Sequence, residues 1–120
     1  MTYVIALTDP DAPSRDNPEW SEMCHWIASG NNEENVKEVI EYKPPGPPPK
    51  TGKHRYVFLL FAPANGTSEE LHLSKPSDRQ HWGGDKERVG VRQWAQKNGL
   101  APVGKYLRFK DWVEEVVLTI

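Results

Sequence analysis

Cysteine is almost absent from this chain: Cys24 is the only one in 120 residues. A single thiol makes no internal disulfide and no zinc site of the Cys-x-x-Cys kind, which fits a reducing compartment and makes the cytoplasm the expected location. Charge of one sign is lacking as well, since 15 Lys and Arg stand against 17 Asp and Glu for a formal net charge of −2. Nucleic acid is held by counterion release to a basic surface, and no basic stripe with interleaved aromatics occurs here, so no nucleic-acid partner is expected. Long apolar runs are also missing. The opening MTYVIALTDPD has no basic leader, and its apolar run is far shorter than the roughly 20 residues of a membrane span, so no transmembrane segment is expected. Common catalytic signatures fail in turn. Ser14, Ser21 and Ser29 lie in no G-x-S-x-G elbow, no H-E-x-x-H occurs, and GPPPKTG lacks the order of a phosphate-cradling P-loop. Nothing in the sequence calls for a cofactor.

What is present is bulk and punctuation. Five Trp, four Tyr and three Phe supply large buried surfaces, 27% of residues are charged, and 120 residues suffice for one core, so residues 1–120 read as a single domain. Residues 3–7 (YVIAL) are apolar and partly β-branched, and Asp-Pro ends them: a strand buried on both faces. Residues 20–28 alternate as a second strand, and residues 36–42 (VKEVIEY) fit either a strand or a helical turn. A proline wall follows, Pro44-Pro45-Gly46-Pro47-Pro48-Pro49, which no regular element survives. Residues 55–61 form the strongest apolar run and belong at the centre of a sheet. Asn65-Gly66-Thr67 reads as a turn. Asp85 is placed to cap a helix running through Asn98, with Gly99 at the position past its end that tolerates positive φ. Phe109, Trp112, Val113, Val116, Val117 and Ile120 follow helical spacing, so the C-terminal segment is predicted as an amphipathic helix, although VVLTI by propensity prefers a strand.

The stretch TDPDAPSR interleaves two aspartates with two prolines straight after the first strand, a stiff excursion that puts carboxylates at defined places. Asp9 and Asp11 after that strand, His25 in the second, and His54 with Tyr56 at the start of the strongest strand could converge on one rim. His54 and Tyr56 are two apart and share a face of a strand. Such a set offers imidazole and phenol donors to an anion and a carboxylate to orient an imidazole. Taken singly, each residue has a plainer reading: Asp before Pro makes an Asx turn, a strand histidine is a satisfied core residue, and Lys43, Lys50, Lys53 and Arg55 are a solvated basic loop. Cys24 beside His25 reads as a buried structural thiol, because no basic activator is nearby in sequence.

TDPDAPSR, the histidine of WSEMCHW, YKPPGPPPKTGKHRYVFLLF and the later helix followed by LAPVG, in that order, resemble the phosphatidylethanolamine-binding protein family. WSEMCH, VIEYKPPGPPP and HWGGDKERVGVRQWAQKNGL are similar to its fungal branch, which includes the carboxypeptidase Y inhibitor. The resemblance implies a mostly β fold, a β-sandwich with peripheral helices, shortened on its N-terminal side because the chain opens in the TDPDAP strand. It also implies a small pocket for phosphate or a phospholipid head group, assigned to Asp9, His25, Gly46, Pro47, His54 and Tyr56. The expected function is non-catalytic: binding an anionic head group or phosphorylated small molecule, and modulating a protein such as a serine carboxypeptidase or a signalling kinase. Two alternatives stand beside it. One is a hydrolase with His54 or His25 as base and Asp9 as orienter, which lacks a positioned nucleophile. The other is a shortened paralogue that serves only as an interaction surface. The shortening also leads us to expect a free edge on the strand of residues 3–7 (Tyr3 to Leu7) and self-association through it.

Overall fold

The computed structural model describes residues 2–12, 14, 16–31, 35–44, 55–67, 69–84, 90–109 and 117–119, the last stretch and residues 104–109 by backbone alone. Six strands make one sheet in the order β3-β2-β1-β4-β5-β6, every neighbour antiparallel: β1 (Tyr3–Asp9), β2 (Met23–Gly30), β3 (Val36–Ile40), β4 (Arg55–Pro63), β5 (Leu100–Phe109) and β6 (Val117–Thr119). Among the described residues one helix, α1 (Val91–Lys97), completes the regular elements together with a short turn over Gln80–Gly83. The strands arise where β-branched and aromatic residues cluster. They end where proline removes a ladder donor, at Pro10 after β1 and at Pro63 closing β4.

Because side chains alternate along a strand, each face of the sheet collects every second residue. Val4, Ala6, Cys24, Ile27, Val57, Leu59 and Phe61 point to one face and pack with Trp82, Val91, Trp94, Ala95 and Leu100 as a single core cluster. The layer covering that face is α1 and the irregular chain before it. The two indoles, Trp82 and Trp94, lie 5.6 Å apart between centroids, and the Trp82 indole N–H donates to Thr8 Oγ1 at 2.9 Å. The end of α1 is fixed by Asn98, whose amide nitrogen donates to the Trp94 carbonyl and to Ser74 Oγ. Gly99 follows at φ +67°, as its place past the helix predicts. The other face carries Tyr3, Ile5, Leu7, Trp26, Ala28, Phe58 and Leu60, by register with β1: Ile5 opposite Ala28 and Leu60, Leu7 opposite Trp26 and Phe58.

The mostly β class stands, with β4 inside the sheet between β1 and β5 and residues 36–40 a strand rather than a helical turn. Asn65-Gly66-Thr67 is a turn, with Gly66 at φ +70°. Two expectations are corrected. β1 has no free edge: β2 pairs one side over Tyr3 to Asp9 and β4 the other over Val4 to Thr8, so self-association through an unpaired Tyr3 to Leu7 edge has no basis. The partner that fills the gap is β4, some fifty residues on, and non-local pairing leaves no mark in a local pattern. The C-terminal helix is also wrong where residues are described, at Phe109 and over 117–119, while 110–116 and 120 lie outside the described residues. Phe109 ends β5, and Val117 starts β6, which pairs antiparallel with β5 through Val117 and Leu107. There β-branched propensity and a waiting strand edge outweigh a helical spacing. The helix predicted from Asp85 begins, within the described residues, at Val91 after Gly90; residues 85–89 lie outside them.

Candidate functional site

Asp9 is the last residue of β1, and Pro10 makes the chain leave the sheet there. Its carboxylate Oδ1 accepts the amide of Asp11 at 2.7 Å, the Asx turn expected of an aspartate before such a bend, and the side chain is 2% exposed. The plain reading of Asp9 is therefore correct, and it is incomplete. Continuing the β1–β4 register from Thr8 opposite Val57 brings Asp9 level with Tyr56. The Tyr56 hydroxyl hydrogen-bonds with Asp9. Burial first, then the negative charges of Asp9 and Asp11, then that hydrogen bond, push the phenol well above its usual range. Tyr56 is thus held as a neutral donor.

His25 reaches the same place through an irregularity. Leu7 pairs with Trp26 and Thr8 with Cys24, so His25 is an extra residue on β2, a bulge, and bulges re-aim the side chain they carry. Its ring meets Tyr56 edge to face, centroids 5.3 Å apart at 87°, and its Nδ1 lies 2.8 Å from the Lys43 carbonyl oxygen. A carbonyl only accepts, so Nδ1 carries the proton, and Nε2 is an acceptor in the neutral ring and a donor in the charged one. His25 is buried, and the Lys43 amide returns a bond of 2.8 Å to the His25 carbonyl.

Asp9, His25 and Tyr56 therefore share one end of the sheet, on the face opposite the core cluster. Gly46, Pro47 and His54 lie outside the described residues. Sequence reasoning missed the partner of Asp11. Its carboxylate, 3% exposed, accepts the Arg55 amide at 2.7 Å and the Arg55 guanidinium through Nε at 3.0 Å and Nη2 at 2.8 Å. Arg55 is thereby taken out of the basic loop and made a clamp between the loop after β1 and the start of β4; the carboxylate raises the guanidinium's pKa. Arg79 was missed as well: it holds the backbone around His25 through three carbonyls. A second carboxylate two residues after the Asx-turn aspartate, and an arginine in an otherwise irregular segment, were the only signals.

Chemically, this end of the sheet offers a phenol donor, an imidazole of fixed tautomer and a carboxylate. That set can hold a small polar group with both donor and acceptor atoms. Cys24 does not join it: the thiol faces the core and is fully buried, and burial pushes it up to about 12, with Arg79 opposing only in part. Among the described residues no group of three or more His, Cys, Asp or Glu could hold a metal ion, and no helix is long and apolar enough to cross a membrane.

The class of the protein is thus a mostly β domain that brings an aspartate, a histidine and a tyrosine together at one end of an antiparallel sheet. The profile of the family described as phosphatidylethanolamine-binding protein matches residues 1–107, and the chain belongs to that family. It is 35% identical to the carboxypeptidase Y inhibitor of Saccharomyces cerevisiae, over 82% of this chain and 54% of that protein. An uncharacterized protein of the same yeast, YLR179C, is 34% identical over 83% of this chain and 55% of its own length. Among solved structures, carboxypeptidase Y inhibitor complexed with its cognate proteinase superposes with a TM-score of 0.80 at 35% identity, over 90% of this chain and 58% of that one. The phosphatidylethanolamine-binding protein of Plasmodium vivax, at 23% identity and a TM-score of 0.62, shares the fold over 86% of this chain and 60% of that one. The chain thus spans about half the length of the curated relatives it matches.

Proposed function

We propose that this chain is a non-catalytic binding protein whose pocket takes a phosphate or a phosphorylated head group, and which modulates a serine carboxypeptidase. The observation that carries the pocket is the convergence of Asp9, His25 and Tyr56 at one strand end, each buried and each held by a named partner. In this reading Gly46, Pro47 and His54 complete the wall. The His25 imidazole donates to a phosphoryl oxygen through Nε2 when charged, the Tyr56 hydroxyl does so when a ligand oxygen replaces Asp9 as its acceptor, and Asp9 then accepts from a protonated oxygen or from the ammonium of an ethanolamine group. The carboxypeptidase partner is supported by the 35% identical relative and by that relative's structure with its cognate proteinase.

The hydrolase reading fares worse on a specific observation. The Nδ1 of His25 is taken by the Lys43 carbonyl, and the neighbouring Cys24 thiol is turned into the core. A triad-like base needs its nucleophile within hydrogen-bond reach. Calorimetric titration of O-phosphoethanolamine and of inorganic phosphate into the wild-type chain and into Tyr56→Phe and His25→Gln tests the pocket. Saturable binding weakened by both substitutions is expected, and equal affinity in all three would remove these residues from the site. Inhibition of a serine carboxypeptidase by the folded chain tests the second half.

A further inference from the structure

The geometry points to Arg79 as the positioning residue for the ligand-facing histidine: it locks the β2 bulge that presents His25. This rests on the pocket reading above for what His25 does, but not for how it is held. In a regular strand successive carbonyls point to opposite edges, so one donor cannot serve two in a row. Here Arg79 Nη1 donates to both the Cys24 carbonyl, at 3.2 Å, and the His25 carbonyl, at 3.1 Å. Only the bulge, with His25 as the extra residue between Thr8–Cys24 and Leu7–Trp26, turns both the same way.

The second arm of the guanidinium reaches across a splay. The β2–β3 ladder runs from Gly30 opposite Val36 to Ile27 opposite Ile40 and stops there. Beyond it, Nη2 donates to the Glu41 carbonyl at 2.7 Å, so the guanidinium stands where the next ladder bonds would be. The main chain of Arg79 closes the loop by accepting the Cys24 amide at 2.7 Å. Two residues past Glu41, Lys43 makes the paired contacts with His25, its amide to the His25 carbonyl and its carbonyl against Nδ1. Arg79 therefore fixes both halves of the frame around the imidazole: the bulge that carries it and the strand continuation that sets its tautomer. Every hydrogen bond of its guanidinium among the described residues goes to a backbone carbonyl. The planar fork is needed for that span. A lysine ammonium could serve the Cys24 and His25 carbonyls but would release Glu41.

The test is long-range proton–nitrogen spectroscopy of the imidazoles in wild type, Arg79→Ala and Arg79→Lys, with phosphate titrated into each. In wild type, His25 should show the Nδ1–H tautomer. In folded Arg79→Ala it should mix with or pass to the Nε2–H tautomer, and phosphate affinity should fall about tenfold, the low end of what loss of an orienting partner costs at a metal site. Arg79→Lys should recover part of both. An unchanged tautomer and affinity in folded Arg79→Ala would overturn the inference while leaving the pocket intact. Conversely, a tautomer that changes in a protein whose wild type binds no phosphate would uphold Arg79 as the positioning residue and remove the pocket. If Arg79→Ala does not fold, the wild type decides through the Arg79 guanidinium protons. Separately resolved, slowly exchanging signals support the clamp, and signals averaged like those of an exposed arginine refute it.

Discussion

The two faces of the sheet are made from alternate residues of the same strands, yet they end in different states. On one, Val4, Ala6, Leu59 and Phe61 are sealed beneath α1 and Trp82. On the other, burial grades along β1 itself. Leu7 is fully buried beside Asp9 and Tyr56, while at the far end Tyr3 is 42% exposed, Leu60 38%, and with Trp26, Ala28 and Val36 they line an open groove of about 290 Å³. The first face is the domain's core. The second is closed only where the candidate site lies. Apolarity in a strand therefore does not by itself identify core: Phe61 and Leu60 are neighbours of similar character, and parity alone separates them.

That contrast can be broken most directly at those two positions. Phe61→Ala should cost about 3–5 kcal/mol, through lost transfer energy and a cavity the core cannot collapse, whereas Leu60→Ala should cost less than about 1 kcal/mol. Urea midpoints at constant slope measure both. Comparable losses would mean that the outer face is covered as tightly as the inner one.

Alkaline titration separates the faces chemically. Cys24 lies on the core face with its pKa raised from 9.0 to about 12, so the folded state keeps a proton that the unfolded chain gives up. Stability from this group is complete below pH 9 and falls as pH rises from 9 towards 12, with a slope of up to about 1.4 kcal/mol per unit. Tyr56, at the closed end of the outer face, is shifted the same way from 10.0 and adds its loss above that pH. Cys24→Ala should flatten the part of the curve that begins near 9, and Tyr56→Phe the part that begins near 10. Failure of Cys24→Ala to change the slope would place the thiol in contact with water.

At the closed end itself, Asp11→Ala removes the acceptor of the Arg55 amide and of its guanidinium, and should cost about 2 kcal/mol, by analogy with hydrogen bonds to charged groups. The effect should also appear as weaker phosphate binding, because β4 loses its tie to the loop after β1. A smaller effect is expected in the layer over the core. A Cβ on Gly99 would meet no atom within 4 Å, so Gly99→Ala should cost about 1 kcal/mol, for its φ of +67° alone.

Much of this was legible in the sequence because it is local. The Asp9-Pro10 boundary, the β4 run and Gly99 after the helix each follow from the residues at that point. The family motifs carried Asp9, His25 and Tyr56 to one site. What escaped is non-local or irregular. The β4 partner of β1, the Asp11–Arg55 pair and the Arg79 carbonyl clamp join residues 38 to 57 positions apart, and the bulge at His25 has no glycine to announce it. The C-terminal segment shows the opposite failure, a helical spacing over residues whose side chains favour the edge offered by β5. Left-handed backbone at His81 and Trp82, φ 52° and 47°, was equally invisible, since neither residue advertises it.

The central claim, that Asp9, His25 and Tyr56 form an anion-binding site, is tested most directly by following the rings of all four histidines while phosphate is added. His72, which is exposed, and His81, held by the Ser21 carbonyl, serve as internal controls. The account predicts saturable shifts at His25, and at His54 with the same midpoint, with His72 and His81 unmoved. A folded protein in which His25 stays silent, or in which all four rings drift together with ionic strength, would contradict it.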